Sequence, residues 1–186
     1  FNLNAGATLI TANTGAGDPA QFAIEGPATD GTTGTILSGT AITKNYNVAA
    51  NYVLNAATVN PFPAAISTMN NLTIGANVSL NRAIDANGIL DLGTFTLTQA
   101  NNNLEFSGLT SGASGKIGTD INSVLSIKGT VGTVGTLRFA SSPAITGEFN
   151  LIRGVTVPLT SDLTIDNGGG KSGSFTTGFD TSVLDI

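Results

Sequence analysis

Carboxylates are the residues of this chain with the most obvious means to do chemistry. Asp85 and Asp91 lie close together, Asp162 and Asp166 do the same, and Glu105 and Asp120 stand between the two groups. If short strands stack, carboxylates from neighbouring strands would converge into an acid/base pair for carbohydrate cleavage, or into a Ca²⁺ site. The competing reading is a set of solvated acids on turns and strand faces. It is preferred, because the Gly-Gly-x-Gly-x-Asp core of the calcium-binding repeat is absent. The chain has no His and no Cys, so the commonest general base and the commonest thiol nucleophile are both missing. Gly168-Gly169-Gly170-Lys171-Ser172-Gly173 lacks the spacing of a phosphate loop and has no helical pattern after it, so it reads as a flexible turn. The expectation is a protein that is not an enzyme, with no catalytic, cofactor-binding or metal-binding residue and no cofactor.

The elements that would carry these residues are short strands. Apolar residues do not recur at helical spacing over any long window, whereas period-2 alternation is frequent. Leu72-Thr73-Ile74, Val78-Ser79-Leu80, Leu90-Asp91-Leu92, Phe95-Thr96-Leu97, Leu104-Glu105-Phe106, Leu125-Ser126-Ile127, Leu137-Arg138-Phe139, Phe149-Asn150-Leu151, Val155-Thr156-Val157 and Leu163-Thr164-Ile165 each place two apolar side chains on one face. Phe1-Asn2-Leu3, Thr8-Leu9-Ile10 and Tyr52-Val53-Leu54 extend the pattern into a less regular first third. The spacing predicts strands of about three to five residues, broken at Gly75, Asn87-Gly88, Gly93, Gly108 and similar positions, where Gly and Asn tolerate left-handed backbone.

A longer period overlies the short one. Asn71-Leu72-Thr73-Ile74-Gly75-Ala76-Asn77-Val78-Ser79-Leu80 recurs, diverged, 79 residues later, from Asn150 to Leu159. Long-period self-similarity marks stacked repeats. The fold class expected is all-β, a parallel β-solenoid (β-helix) of short strands, with a β-sandwich of repeats as the alternative. The chain reads as a single β-repeat segment over 1–186, with related units near 63–98 and 143–175, cut from a longer tandem protein.

Composition narrows the partners. The net charge is −5 and only 10% of residues are charged. Lys44, Arg82, Lys116, Lys128, Arg138, Arg153 and Lys171 lie far apart, so there is no basic stripe for nucleic acid. No apolar run reaches the ~20 residues of a membrane-spanning helix. With 40% hydrophobic residues the chain is not of the disordered class. Thr94-Phe95-Thr96-Leu97-Thr98 is the one run with the Thr-x-Thr ranks of an ice-binding face, and one rank is not an array. Asn71-Leu72-Thr73 and Asn77-Val78-Ser79 match the N-glycosylation acceptor pattern, which chance supplies readily in so Asn- and Thr-rich a chain. Phe95, Phe106, Phe139 and Phe149 alternate with aliphatic residues and read as core rather than as a sugar-stacking platform. Tyr46 and Tyr52 are the only aromatics with a polar tip.

Ala49-Ala50-Asn51-Tyr52-Val53-Leu54-Asn55, Met69-Asn70-Asn71-Leu72-Thr73-Ile74 and Ile89-Leu90-Asp91-Leu92 carry a resemblance. With the opening Phe1-Asn2-Leu3-Asn4-Ala5-Gly6-Ala7-Thr8-Leu9, they resemble the Thr/Asn/Gly-rich β-strand repeats of large secreted surface proteins of the Bacteroidota, including gliding-motility and adhesin-like proteins. The resemblance implies secretion, a very long parent chain and a place at the cell surface. It carries over no functional residue. The function expected is a non-catalytic structural repeat module of a filamentous, adhesin-like surface protein. Its partners would be copies of itself or neighbouring repeats in a fibre, with surface glycans as a further possibility. A carbohydrate-binding or carbohydrate-cleaving β-helix and an ice- or surface-binding solenoid are the rivals.

Overall fold

The computed structural model describes residues 1–15, 22–27, 36–38, 43–110, 115–118, 124–127, 136–138, 148–151 and 164–166. Among them the regular structure is all strand, and every described strand pair is parallel. The antiparallel hairpins of a sandwich do not occur among these residues. No helix there is long and apolar enough to cross a membrane.

Among the described residues the largest sheet has eight strands. Its path runs from Thr8–Thr11 through Asn51–Leu54, Leu72–Ile74, Ile84–Asp91, Leu104–Thr110 and Val124–Ile127 to Glu148–Leu151. Thr68–Met69 pairs with the first part of Ile84–Asp91, while Leu72–Ile74 pairs with its last part. A second ladder stacks Val78–Ser79, Thr96–Thr98 and Lys116–Gly118. Smaller parallel pairs join Asn2–Leu3 to Asn45–Tyr46, Glu25–Pro27 to Ile36–Ser38, and Thr136–Arg138 to Thr164–Asp166.

Period-2 alternation decides which side chains enter the core. Leu72 and Ile74 are buried while Thr73 is half-buried, and Leu104 and Phe106 are buried around a half-buried Glu105. The buried residues form columns along the ladders, Tyr52 beside Leu72 beside Leu90, and Val78 beside Leu97 beside Ile117. They belong to one apolar cluster that also takes in Phe62, Ile66 and Met69. Removing this apolar area from water is what holds the ladders together. In backbone register, four steps link Met69, Ala86, Phe106, Ile127 and Leu151. Leu151 therefore stands in line with Met69, on the other side of the Asn70-Asn71 corner from Leu72.

Two expected breaks are not breaks. Asn87-Gly88 lies inside the eight-residue strand Ile84–Asp91, and Gly108 lies inside the seven-residue strand Leu104–Thr110. Both strands exceed the three to five residues the spacing predicts. The chain turns a corner there without leaving the ladder, and the register shifts between Ala86 and Ile89 as it does so. Gly88 makes this possible. Its N–H still donates to Asn70 O at 2.7 Å, and a Cβ at this position would overlap the Asn71 carboxamide oxygen and lie 2.9 Å from Asn70 O. Thr68–Met69, Glu25–Pro27, Ile36–Ser38 and Asn45–Tyr46 are strands that the alternation did not mark. Thr68–Met69 and Asn45–Tyr46 are too short for period 2 to register, and Glu25-Gly26-Pro27 and Ile36-Leu37-Ser38 do not place two apolar residues around a polar one.

Candidate functional site

The Ile84–Asp91 and Leu104–Thr110 strands bring together two of the expected carboxylates. Asp85 and Glu105 are direct register partners, half-buried on the side of the ladder opposite Ala86 and Phe106. Adjacent strands lie ~4.8 Å apart, so the two side chains rise from neighbouring positions on one surface. Thr68 precedes them in the same row and Ser126 follows in register. Asp91 is not part of this group. It lies past the corner, beside Thr73, and its Oδ1 accepts the Gly93 N–H at 3.0 Å. Asp120 and Asp162 lie outside the described residues, and Asp166 falls in a separate strand paired with Thr136–Arg138. Among the described residues no three acidic, His or Cys groups are placed to share a metal ion.

A second polar cluster was not foreseen. Glu25 receives the Lys44 ammonium on Oε2 and the Tyr46 hydroxyl on Oε1, with the Glu25 and Lys44 side chains only 13% and 19% exposed. Phe1 packs its ring 5.9 Å from that of Tyr46. Burial, then the hydrogen bond to Glu25 and its charge, hold the Tyr46 phenol far above its ordinary range. These contacts tie the Glu25–Pro27 segment to the Lys44–Tyr46 segment. Nothing in the residue types announces this cluster, because Glu25 lies 19 and 21 residues from Lys44 and Tyr46 and meets them only in the folded chain.

Tyr52 behaves differently. Its ring is enclosed and meets Phe62 edge-on at 6.0 Å, and its hydroxyl has no hydrogen-bond partner among the described residues. Burial pushes its pKa up to about 12. Neither tyrosine is a sugar platform, since Tyr52 is core and the polar tip of Tyr46 is occupied. Phe106 is fully buried and Phe95 packs against the core. Phe139 and the side chain of Phe149 lie outside the described residues.

The most repeated polar feature is asparagine bridging successive strands of a ladder. Asn70 donates its carboxamide N–H to Asn51 Oδ1 at 2.9 Å, and Asn71 Oδ1 accepts the Ile89 N–H at 2.7 Å. Asn77 Oδ1 accepts the Thr96 N–H at 2.9 Å. Asn81 grips both backbone groups of Phe62, and Asn102 reaches Leu80 O at 3.0 Å. These bridges span 18 to 22 residues of chain. Both glycosylation-pattern asparagines, Asn71 and Asn77, are thus committed to the ladder. Two Asn-headed segments 20 residues apart, Asn51-Tyr52-Val53-Leu54 and Asn71-Leu72-Thr73-Ile74, were the available signal for this step.

An open depression of about 360 Å³ lies over the other ladder, lined by Thr14, Ala57, Val59, Asn77, Ser79 and Thr98 among others. It is not on the strand faces that carry Asp85 and Glu105. The Thr96 and Thr98 rank beside it is flanked by Asn77 and Ser79 before it and by Lys116 and Gly118 after it. The Gly168–Gly173 tract lies outside the described residues. No protein-family model, no curated protein and no solved structure matches the chain.

Proposed function

We propose that this chain is a non-catalytic structural repeat module of a secreted or cell-surface fibre, folded as a parallel β-solenoid. One observation carries the reading. Parallel neighbours need a connection of a dozen or more residues, which in most proteins is a helix. Here the connection from Leu72–Ile74 to Ile84–Asp91 is itself threaded with a strand of another ladder, Val78–Ser79. A chain that visits one ladder, then a second, then returns one strand further on is behaving as a coil. Stacked coils direct backbone hydrogen bonds along one axis and fill the interior with apolar columns, which makes a stiff rod. The asparagine bridges add side-chain bonds in the same direction. The resemblance to Bacteroidota surface repeats supports the location.

Two measurements on the intact protein test this. Electron microscopy is expected to find a rod with an axial repeat of about 4.8 Å, and antibodies to this segment are expected to label unbroken producing cells. A compact particle lacking that repeat overturns the solenoid, and labelling only after lysis overturns the surface role.

The adjacency of Asp85 and Glu105 favours a carbohydrate-cleaving surface as the second reading. Their strands lie ~4.8 Å apart, and retaining glycosidases hold two carboxyl groups ~5–5.5 Å apart. Release of reducing sugar from bacterial or plant polysaccharides, lost in both Asp85→Asn and Glu105→Gln, would establish it; no release by the wild-type chain removes it.

A further inference from the structure

Asn87-Gly88 is a chemically fragile dipeptide at a corner of the ladder. Glycine is favoured at position 88, because a Cβ there would crowd the carboxamides of Asn70 and Asn71 and lie 2.9 Å from Asn70 O. Asn87, just before it, stands exposed to solvent. We propose that Asn87 is a deamidation site that the folded ladder holds closed.

The reaction is intramolecular. The Gly88 nitrogen loses its proton to solvent base and attacks Asn87 Cγ. A new N–C bond closes a succinimide ring, and the carboxamide nitrogen leaves as ammonia. One water then opens the ring at either carbonyl, giving aspartate or isoaspartate. Glycine makes the step easy in an open chain, since no side chain shields the attacking nitrogen. Two requirements remain. The Gly88 nitrogen must be free to ionise, and the backbone must rotate to bring it onto Cγ.

Both are blocked at this corner. The Gly88 N–H is held by Asn70 O at 2.7 Å, and the next N–H, on Ile89, is held by Asn71 Oδ1 at 2.7 Å. On either side of the corner the strand is fixed in register, Ile84 to Ala86 against Leu104 to Phe106 and Ile89 to Asp91 against Gly108 to Thr110. Cyclisation therefore waits for the corner to open. Isoaspartate would also lengthen the main chain by one carbon inside the interval where the register already shifts. The two halves of the strand could then no longer keep both sets of partners. The modification marks chain that has opened, and it prevents that chain from closing correctly.

The test compares the folded chain with the same chain in urea at one pH and temperature, using peptide mass mapping with isoaspartate detection. In urea Asn87 and Asn167, each followed by glycine, are expected to convert at similar rates. In the folded chain Asn87 is expected to convert at least about tenfold more slowly, the factor set by ~1.4 kcal/mol of local opening. Equal rates at Asn87 in the two states overturn the proposal. Asn71→Ala removes the acceptor for Ile89 and is expected to accelerate Asn87 conversion in the folded state while leaving the urea rate unchanged. A folded-state rate unaffected by that change overturns the role assigned to the corner. The wild-type comparison stands by itself if the variant does not fold.

Discussion

Asn71 Oδ1 accepts the backbone N–H of Ile89 across a ladder step of 18 residues, and the same carboxamide occupies the space that a side chain at position 88 would need. One side chain thus links two successive strands and also favours glycine at the corner it braces. Hydrogen bond and steric demand are two effects of one contact, and they are separable by mutation.

Asn71→Ala deletes an acceptor and leaves the Ile89 N–H near solvent. The expected loss of stability is about 0.5–1.5 kcal/mol. Asn81→Ala should cost more, because Asn81 accepts from Phe62 N at 3.2 Å and donates to Phe62 O at 2.8 Å. Urea denaturation midpoints check the order. An Asn71→Ala loss exceeding that of Asn81→Ala contradicts it.

Gly88→Ala and Gly75→Ala both place a methyl group against an asparagine of the previous strand. At Gly75 the nearest obstacle, Asn55 Oδ1 at 2.5 Å, is the end of an exposed side chain that can swing away. At Gly88 the obstacles include two carboxamides and backbone. Gly88→Ala is expected to cost about 1–3 kcal/mol, the range for overpacking, and Gly75→Ala less. Thermal unfolding of the two variants side by side decides this; equal losses would mean that the corner relaxes freely.

Tyr52→Phe should leave the protein as stable or raise its stability by about 1 kcal/mol at neutral pH, since it removes a buried hydroxyl that has no partner among the described residues while keeping the ring against Phe62. Tyr52→Ala is expected to cost about 3–5 kcal/mol through the cavity it opens. A marked loss on Tyr52→Phe would show that the hydroxyl is bonded.

Alkaline pH gives a signed test of the same residue. Burial raises the folded-state pKa of Tyr52 from 10.0 to about 12, so the folded state holds this proton more tightly than the unfolded chain. The associated stability is fully present below pH 10 and is lost as pH rises toward 12, by on the order of 2–3 kcal/mol. Tyr46 acts in the same direction. Unfolding free energy is therefore expected to fall through this window, and less steeply in Tyr52→Phe. A flat profile in the wild-type chain contradicts the burial argument.

Glu25→Gln tests the cluster of Glu25, Lys44 and Tyr46. It removes the charge that Lys44 and Tyr46 share, so the Tyr46 phenol should titrate at lower pH than in the wild-type chain. The chain has two tyrosines and no Trp, so tyrosinate absorbance resolves the change. An unmoved titration would place the cause of the Tyr46 shift in burial alone.

Legibility varied along the chain for physical reasons. Leu72-Thr73-Ile74 and Leu104-Glu105-Phe106 could be read directly, because one wet face and one apolar face leave a period-2 trace. Thr68–Met69 and Asn45–Tyr46 could not, since two residues carry no period. In the sequence Asn87-Gly88 reads as a break, because that dipeptide usually ends a strand. Here the strand bends and continues, since the backbone donors on Gly88 and Ile89 both find acceptors on the neighbouring pass.

By itself the sequence determined the all-strand class and the buried faces of Tyr52-Val53-Leu54, Leu72-Thr73-Ile74 and Leu104-Glu105-Phe106, because alternation and the absence of helical spacing are local properties. Only the tertiary structure decided which strands are neighbours. That choice makes Asp85 and Glu105 adjacent and sends Asp91 around a corner. It also gathers Glu25, Lys44 and Tyr46 from distant segments and turns Asn71 from a glycosylation-pattern residue into a brace for Gly88. Register between parallel strands is set by apolar columns that must align across the core and by side chains that must fit at each corner, and neither condition can be read from one strand alone.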